Sequence, residues 1–85
     1  MKLERLLKAL ANKRRLEILK ALQKEEELSV GEIAETISLS LKATSRHLAI
    51  LTHADILEKE QRGLQVFYRL APLQEKTTKS VLLLL

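Results

Sequence analysis

Apolar positions recur along the chain with two different periods. Leu3, Leu6, Leu7 and Leu10 follow helical spacing and predict a first amphipathic helix of about three turns. Asn12 breaks that pattern and is a good N-cap for a second helix. Leu16, Ile18, Leu19 and Leu22 mark this helix, which runs out in the charged stretch Lys24 to Glu27. Ser29-Val-Gly-Glu32 reads as a capping box, with Ser29 capping a third helix and Glu32 reaching back to the free amide. That helix is short, reaching about Ile37, with Ile33, Ala34 and Ile37 turned inward. Ser38-Leu-Ser40 interrupts it, and Ser40 caps a fourth helix whose inward positions Thr44, Leu48 and Leu51 follow at i, i+4 and i+7.

After Asp55 the period moves toward two. Ile56–Gln61 and Gln65–Leu70 predict two strands, with Arg62-Gly63-Leu64 between them and Gly63 free to take a positive φ. Pro72 then opens a last helix, from about Leu73 to the C-terminus, because its missing N–H costs nothing there. The resulting order is helix, helix, helix, tight turn, helix, hairpin, helix: a mainly α fold of the α+β class. Two helices joined by a tight turn and followed by a hairpin are the parts of a winged helix-turn-helix. No repeat, low-complexity tract or linker divides residues 1–85, so they read as a single domain.

Composition narrows what such a domain can do. With one Phe, one Tyr and no Trp the core is aliphatic, and a core this small gains from oligomerisation. The absence of cysteine removes disulfides and thiolate metal ligands. The net charge of +4 is unevenly spread. Residues 1–24 carry eight bases and two acids, residues 25–35 five acids and no base, and residues 40–54 Lys42 and Arg46 with no acid. A basic face set apart from an acidic one suits a polyanion, although ordinary surface charge reads the same way from composition alone. No apolar run is long enough for a signal peptide or a membrane span, which makes a cytoplasmic protein with no membrane partner the expectation.

Four segments in order resemble the ArsR family of bacterial and archaeal repressors. Leu10-Ala-Asn-Lys-Arg-Arg-Leu-Glu-Ile-Leu19 is similar to the junction of its first two helices, and Leu28-Ser-Val-Gly-Glu-Ile-Ala-Glu35 to the start of its scaffold helix. Leu39-Ser-Leu-Lys-Ala-Thr-Ser-Arg-His-Leu-Ala-Ile-Leu51 resembles its recognition helix, and Arg62-Gly63 to Tyr68-Arg-Leu70 its wing. The resemblance covers about residues 5–70 without a gap. It implies DNA binding and a homodimer paired through the first and last helices. It does not carry over metal sensing. Ser29 and Gly31 stand where the family's Cys-x-Cys pair would be, and the last helix offers Glu75 but no His for the family's second type of site.

The candidate DNA contacts follow from the fourth helix. With Thr44, Leu48 and Leu51 inward, Lys42, Ala43, Ser45, Arg46 and Ala49 face outward. Arg46 can bind guanine O6 and N7 together, Lys42 guanine or phosphate, and Ser45 either. Ala43 permits close approach and can meet a thymine methyl. Ser40 caps the helix first and contacts phosphate second. His47 is open between a phosphate contact and a packed, hydrogen-bonded role. In the wing, Lys59, Arg62 and Gln65 are the candidates for backbone or minor-groove contact. The family often has Arg where this chain has Leu64, and Glu58 and Glu60 share one face with Lys59 on the other, so the wing is expected to add little affinity.

Lys13, Arg14 and Arg15 open the second helix, where the dipole disfavours cations. An intramolecular or dimer ion pair accounts for them best, with DNA phosphate as the alternative, and the resemblance implies a structural role for Arg15. His47 and His53, six residues apart, do not share a face as metal ligands, and no nucleophile–base pair, phosphate loop or paired carboxylates stand out. The expectation is therefore no enzyme, no metal and no cofactor. Leu82 to Leu85 cannot all face one small core, so residues 1–11 and 72–85 are read as dimerisation helices, with Leu3, Leu7, Leu10, Val81, Leu82 and Leu85 at the interface. A frayed tail and a natural chain that continues past Leu85 are the alternatives for the last leucines. The function that follows is a homodimeric regulator of transcription binding specific double-stranded DNA. A winged-helix module for protein–protein contact is its rival.

Overall fold

The computed structural model describes residues 2–85; Met1, the first residue of the segment 1–11, lies outside the described residues. The described residues form five helices and a small antiparallel sheet. The elements are α1 (Leu3–Leu10), α2 (Lys13–Lys24), β1 (Leu28–Ser29), α3 (Val30–Thr36), α4 (Leu41–His53), β2 (Leu57–Arg62), β3 (Gln65–Leu70) and α5 (Lys76–Leu84).

Local chemistry sets most of the boundaries. The Asn12 side chain accepts from the Arg15 amide and starts α2. Both halves of the Ser29–Glu32 box are made: the Ser29 hydroxyl accepts from the Glu32 amide, and the Glu32 carboxylate accepts from the Ser29 amide at 2.8 Å. The Ser40 hydroxyl accepts from the Ala43 amide at the head of α4. Between α3 and α4 the chain reverses through Ser38, whose φ of 55° is left-handed. The Ser38 and Leu39 amides close that turn onto the Glu35 and Ala34 carbonyls. These bonds satisfy carbonyls that the end of α3 leaves open and fix the direction in which α4 departs.

The sheet has the order β1-β3-β2. The two-residue β1 pairs Leu28 with Tyr68 and Ser29 with Phe67, so the sequence expectation of a hairpin alone is corrected to three strands. Two residues carry no readable period. β2 and β3 pair from Leu57 with Leu70 to Arg62 with Gln65, which leaves Gly63-Leu64 as the turn. Gly63 takes φ 61°, the positive value a two-residue hairpin loop demands.

The core is aliphatic. Ile18, Leu19, Ile33, Leu48, Leu51 and Ile56 are its fully buried centre, with Leu6, Leu22, Leu57 and Tyr68 around them. Thr44 is buried among them, as its place in the inward row of α4 predicts.

Two expectations at the chain ends are corrected, for Pro72 and Leu10. Pro72 does not open α5. It sits in a bend, the Gln74 side chain ties that bend to the Ile56 and Ala71 carbonyls, and the helix starts at Lys76 with Glu75 as N-cap. Leu10 is not an interface residue, because at 4% exposure it belongs to the core beneath α1. On α5, Val81, Leu82 and Leu85 pack half-buried against the chain's own core, and the Gln23 side chain donates to the Leu82 carbonyl. The leucines left outward are Leu83 and Leu84, 88% and 85% exposed. On α1, Leu3 and Leu7 remain exposed as expected, at 58% and 46%.

Candidate nucleic-acid interface

α4 presents the chemistry that its sequence suggested. Ser40, Lys42, Ser45 and Arg46 are exposed and Ala43 is half-buried, while Thr44, Leu48 and Leu51 anchor the opposite side. No acidic residue occurs between Ser40 and Ala54, so nothing on this face offsets Lys42 and Arg46. Neither cation is held in an ion pair among the described residues, which leaves both free to meet an anion or a base edge. Leu41, the first residue of α4, is also exposed beside them. Sequence reasoning missed it because an apolar residue three before Thr44 and seven before Leu48 reads as one more core position.

The basic start of α2 is accounted for partly by the ion pair expected for it and partly by backbone carbonyls. Arg14 donates to the Ile37 carbonyl at the end of α3 and also pairs with Glu17 at 3.2 Å. Arg15 donates through Nε to the Ala9 carbonyl at 2.7 Å and through Nη2 to the Lys8 carbonyl at 3.1 Å, both at the end of α1. The C-terminus of a helix carries a partial negative charge and unpaired carbonyls. Each guanidinium thus satisfies the end of a neighbouring helix, which offsets its poor position at the start of its own. The expectation is corrected for Arg15, which meets two carbonyls and a ring nitrogen rather than a carboxylate.

That ring belongs to His47, whose Nδ1 lies 3.2 Å from Arg15 Nη1. Arginine can only donate, so Nδ1 accepts and the ring proton sits on Nε2. Burial, then the nearby Arg15 and Arg14 charges, hold the imidazole below its ordinary pKa. His47 is therefore a neutral, packed residue that joins α4 to Arg15 of α2, the same side chain that holds the end of α1. Of the two roles left open by the sequence, this arrangement is the structural one. A neutral ring whose Nδ1 is turned to Arg15 offers no cation to a phosphate, so packing is the role that this geometry displays.

The wing is tied down as well. Arg62 makes a two-pronged contact with Glu27, at 2.6 and 2.8 Å, reaches Glu60 at 3.1 Å and stacks on the Phe67 ring. Arg69 bridges Glu58, Glu60 and Glu27 in the same cluster. Hydrogen bonds from Arg62 hold the Glu27 and Glu60 carboxyls below the usual carboxylate range. Arg62, a candidate DNA contact from the sequence, is thus paired within the protein. Glu27, 35 residues away, supplied no sequence signal. Lys59 and Gln65 stay exposed, and the β2–β3 register places them on opposite faces of the hairpin, so one orientation of the wing offers only one of them.

Comparison with known proteins agrees with this geometry. A family model described as a helix-turn-helix domain matches residues 10–60. The transcriptional activator HlyU of Vibrio cholerae is 44% identical over 71 residues, covering 84% of this chain and 65% of that protein. The solved structure of reduced HlyU superposes with a TM-score of 0.80 at 40% identity, over 95% of this chain and 81% of that one. The NMR structure of a homodimeric winged helix-turn-helix DNA-binding domain from Mycobacterium bovis, described as that of a possible ArsR-family transcriptional regulator, gives a TM-score of 0.81 at 33% identity. It covers 95% of this chain and 72% of that one. The chain spans 65% of the length of HlyU and 51% of that of the arsenic resistance transcriptional regulator ArsR1 of Pseudomonas putida, which is 40% identical over 65 residues.

Proposed function

Because the chain belongs to the ArsR family of winged helix-turn-helix regulators, we propose that it regulates transcription as a homodimer bound to a pseudo-palindromic DNA site. The observation that carries this reading is the outward face of α4, capped by Ser40, free of acids and bearing unpaired Lys42 and Arg46. The N-terminal residues of such a helix meet base edges in the major groove. Lys42, Ala43, Ser45 and Arg46 are the base-reading set, Ser40 and Lys42 reach phosphate, and either Lys59 or Gln65 of the wing, which face opposite ways, is a secondary contact. A two-fold axis through α1 and α5 sets two copies of α4 about 34 Å apart, one turn of duplex. The same relatives favour regulator over enzyme. Among the described residues no helix is long and apolar enough to cross a membrane. The proposed setting is the cytoplasm, where the DNA is.

Selection of bound sequences from random duplexes tests the reading. It is expected to return a two-fold symmetric site whose affinity falls steeply as salt rises, since phosphate contacts release counterions. Binding without sequence preference would contradict it.

Zinc, cadmium and arsenite are expected to leave operator affinity unchanged. The chain has no cysteine, Ser29 and Gly31 are not soft ligands, and α5 carries no histidine. Titration of each into a preformed protein–DNA complex, read by fluorescence anisotropy, checks this. A release of DNA by any of them would contradict it.

A further inference from the structure

We infer that Arg5 and Lys8 of α1, together with His53 of α4, form a ledge that grips the backbone phosphates of the same duplex that α4 reads; this rests on the DNA-binding reading above. An open groove runs between α1 and the second half of α4, lined by Arg5, Lys8 and Arg15 on one side and Ile50 and His53 on the other, over the alanines 9, 49 and 54. No acid lines it. Arg5, Lys8 and His53 are exposed, and their side chains have no ionic partner among the described residues.

Three features single out DNA phosphate as the occupant. First, the groove continues the reading face. Lys42, Arg46, Ala49 and His53 follow at i, i+4, i+7 and i+11, one stripe along α4. Second, the lengths require it. Thirteen residues make a helix of about 20 Å, whereas the major groove is about 12 Å wide, so a helix reading bases at its N-terminus carries its other end out over a phosphate rail. The small side chains of Ala49 and Ala54 keep that end open to close approach. Third, α1 is held beside α4 by Arg15, which binds the Lys8 and Ala9 carbonyls and His47 together. The two cations of α1 are therefore presented at a fixed place rather than on a loose helix.

The ledge also stays open in a dimer. On α1, Arg5 is about 200° around the axis from Leu3, and Lys8 about 100° from Leu7. The flank that offers apolar surface to a second copy is thus not the flank that lines the groove.

The test is the double substitution Arg5→Gln with Lys8→Gln, both on exposed positions, compared with the parent and with Lys20→Gln on α2. Each protein is checked by thermal unfolding, and anisotropy titrations on the selected operator and on a random duplex are run over a salt series. The double variant is expected to lose affinity by a similar factor on both duplexes. Its slope of log affinity against log salt is expected to fall by about 0.9 for each phosphate no longer neutralised, near 1.8 per protomer. Lys20→Gln is expected to keep the parent slope. A double variant that folds like the parent and keeps its slope overturns the ledge while leaving DNA reading by α4 intact. A loss confined to the operator overturns it too, because phosphate contacts carry no sequence. A parent that binds neither duplex contradicts the underlying DNA reading instead.

Discussion

Leu7→Glu is expected to give a folded monomer whose operator affinity is lower by about a hundredfold or more, the gain that tethering two binding modules ordinarily provides. Leu7 is 46% exposed and Leu3 58%, so a carboxylate at position 7 meets water in the monomer and leaves the core beneath α1 intact. In a dimer it lies where apolar surface is to be buried. Each leucine so buried contributes about 1.5–3 kcal/mol, much of which is offset by the cost of association, and an unpaired charge there removes the margin. Leu83→Glu on α5 is expected to act in the same way. Leu10→Glu and Leu82→Glu do not test the interface, because Leu10 is buried and Leu82 packs on the chain's own core, so both unsettle the fold first. Sedimentation equilibrium of parent and variants decides the matter. A parent that stays monomeric at operator-binding concentrations, or a Leu7→Glu variant that dimerises and binds as the parent does, contradicts the dimer.

Arg15→Ala is expected to cost about 2 kcal/mol of stability, near 10 °C in the midpoint of thermal unfolding for a domain of this size. One guanidinium serves the Ala9 and Lys8 carbonyls and the His47 ring, and alanine leaves all three without that partner. Arg15→Lys recovers only part of the loss, since a point charge lacks the planar fork that spans several acceptors. The same contact sets a pH dependence. His47 is held below its ordinary pKa, so acidification protonates the unfolded chain first. Its contribution is complete above the ordinary histidine value of about 6.5 and is lost as pH falls toward the lowered native value. Thermal unfolding across that range, with His47→Gln as reference, reads this directly. A parent whose midpoint is as flat with pH as that of His47→Gln contradicts the neutral, accepting ring.

What the sequence made legible was what neighbouring residues decide. Asn12, Ser29 with Glu32, and Ser40 bond to amides three residues on, so the starts of α2, α3 and α4 follow from local chemistry. Gly63 and the alternation around it locate the wing. The row Thr44, Leu48, Leu51 fixes which face of α4 turns outward, and with it most of the candidate base-reading set. What stayed hidden depends on partners far along the chain. β1 exists because Leu28 and Ser29 meet Tyr68 and Phe67. Arg62 is neutralised by Glu27, and Arg15 serves carbonyls of the helix before it. The leucines of α5 are alike in sequence, and only docking on the rest of the chain separates half-buried Leu82 and Leu85 from outward Leu83 and Leu84.

If the outward face of α4 reads base pairs, Arg46→Ala is the substitution that tests it most directly. Arg46 is exposed on the acid-free face and its removal leaves the core untouched. Affinities of parent and variant are measured at matched salt for the selected operator and for every single-base change in one half-site. A loss of about 1–3 kcal/mol on the operator is expected, with relaxed preference at one base pair and the other positions unchanged. An Arg46→Ala protein that binds the operator as tightly as the parent, with the same preference at every position, would contradict base reading by α4.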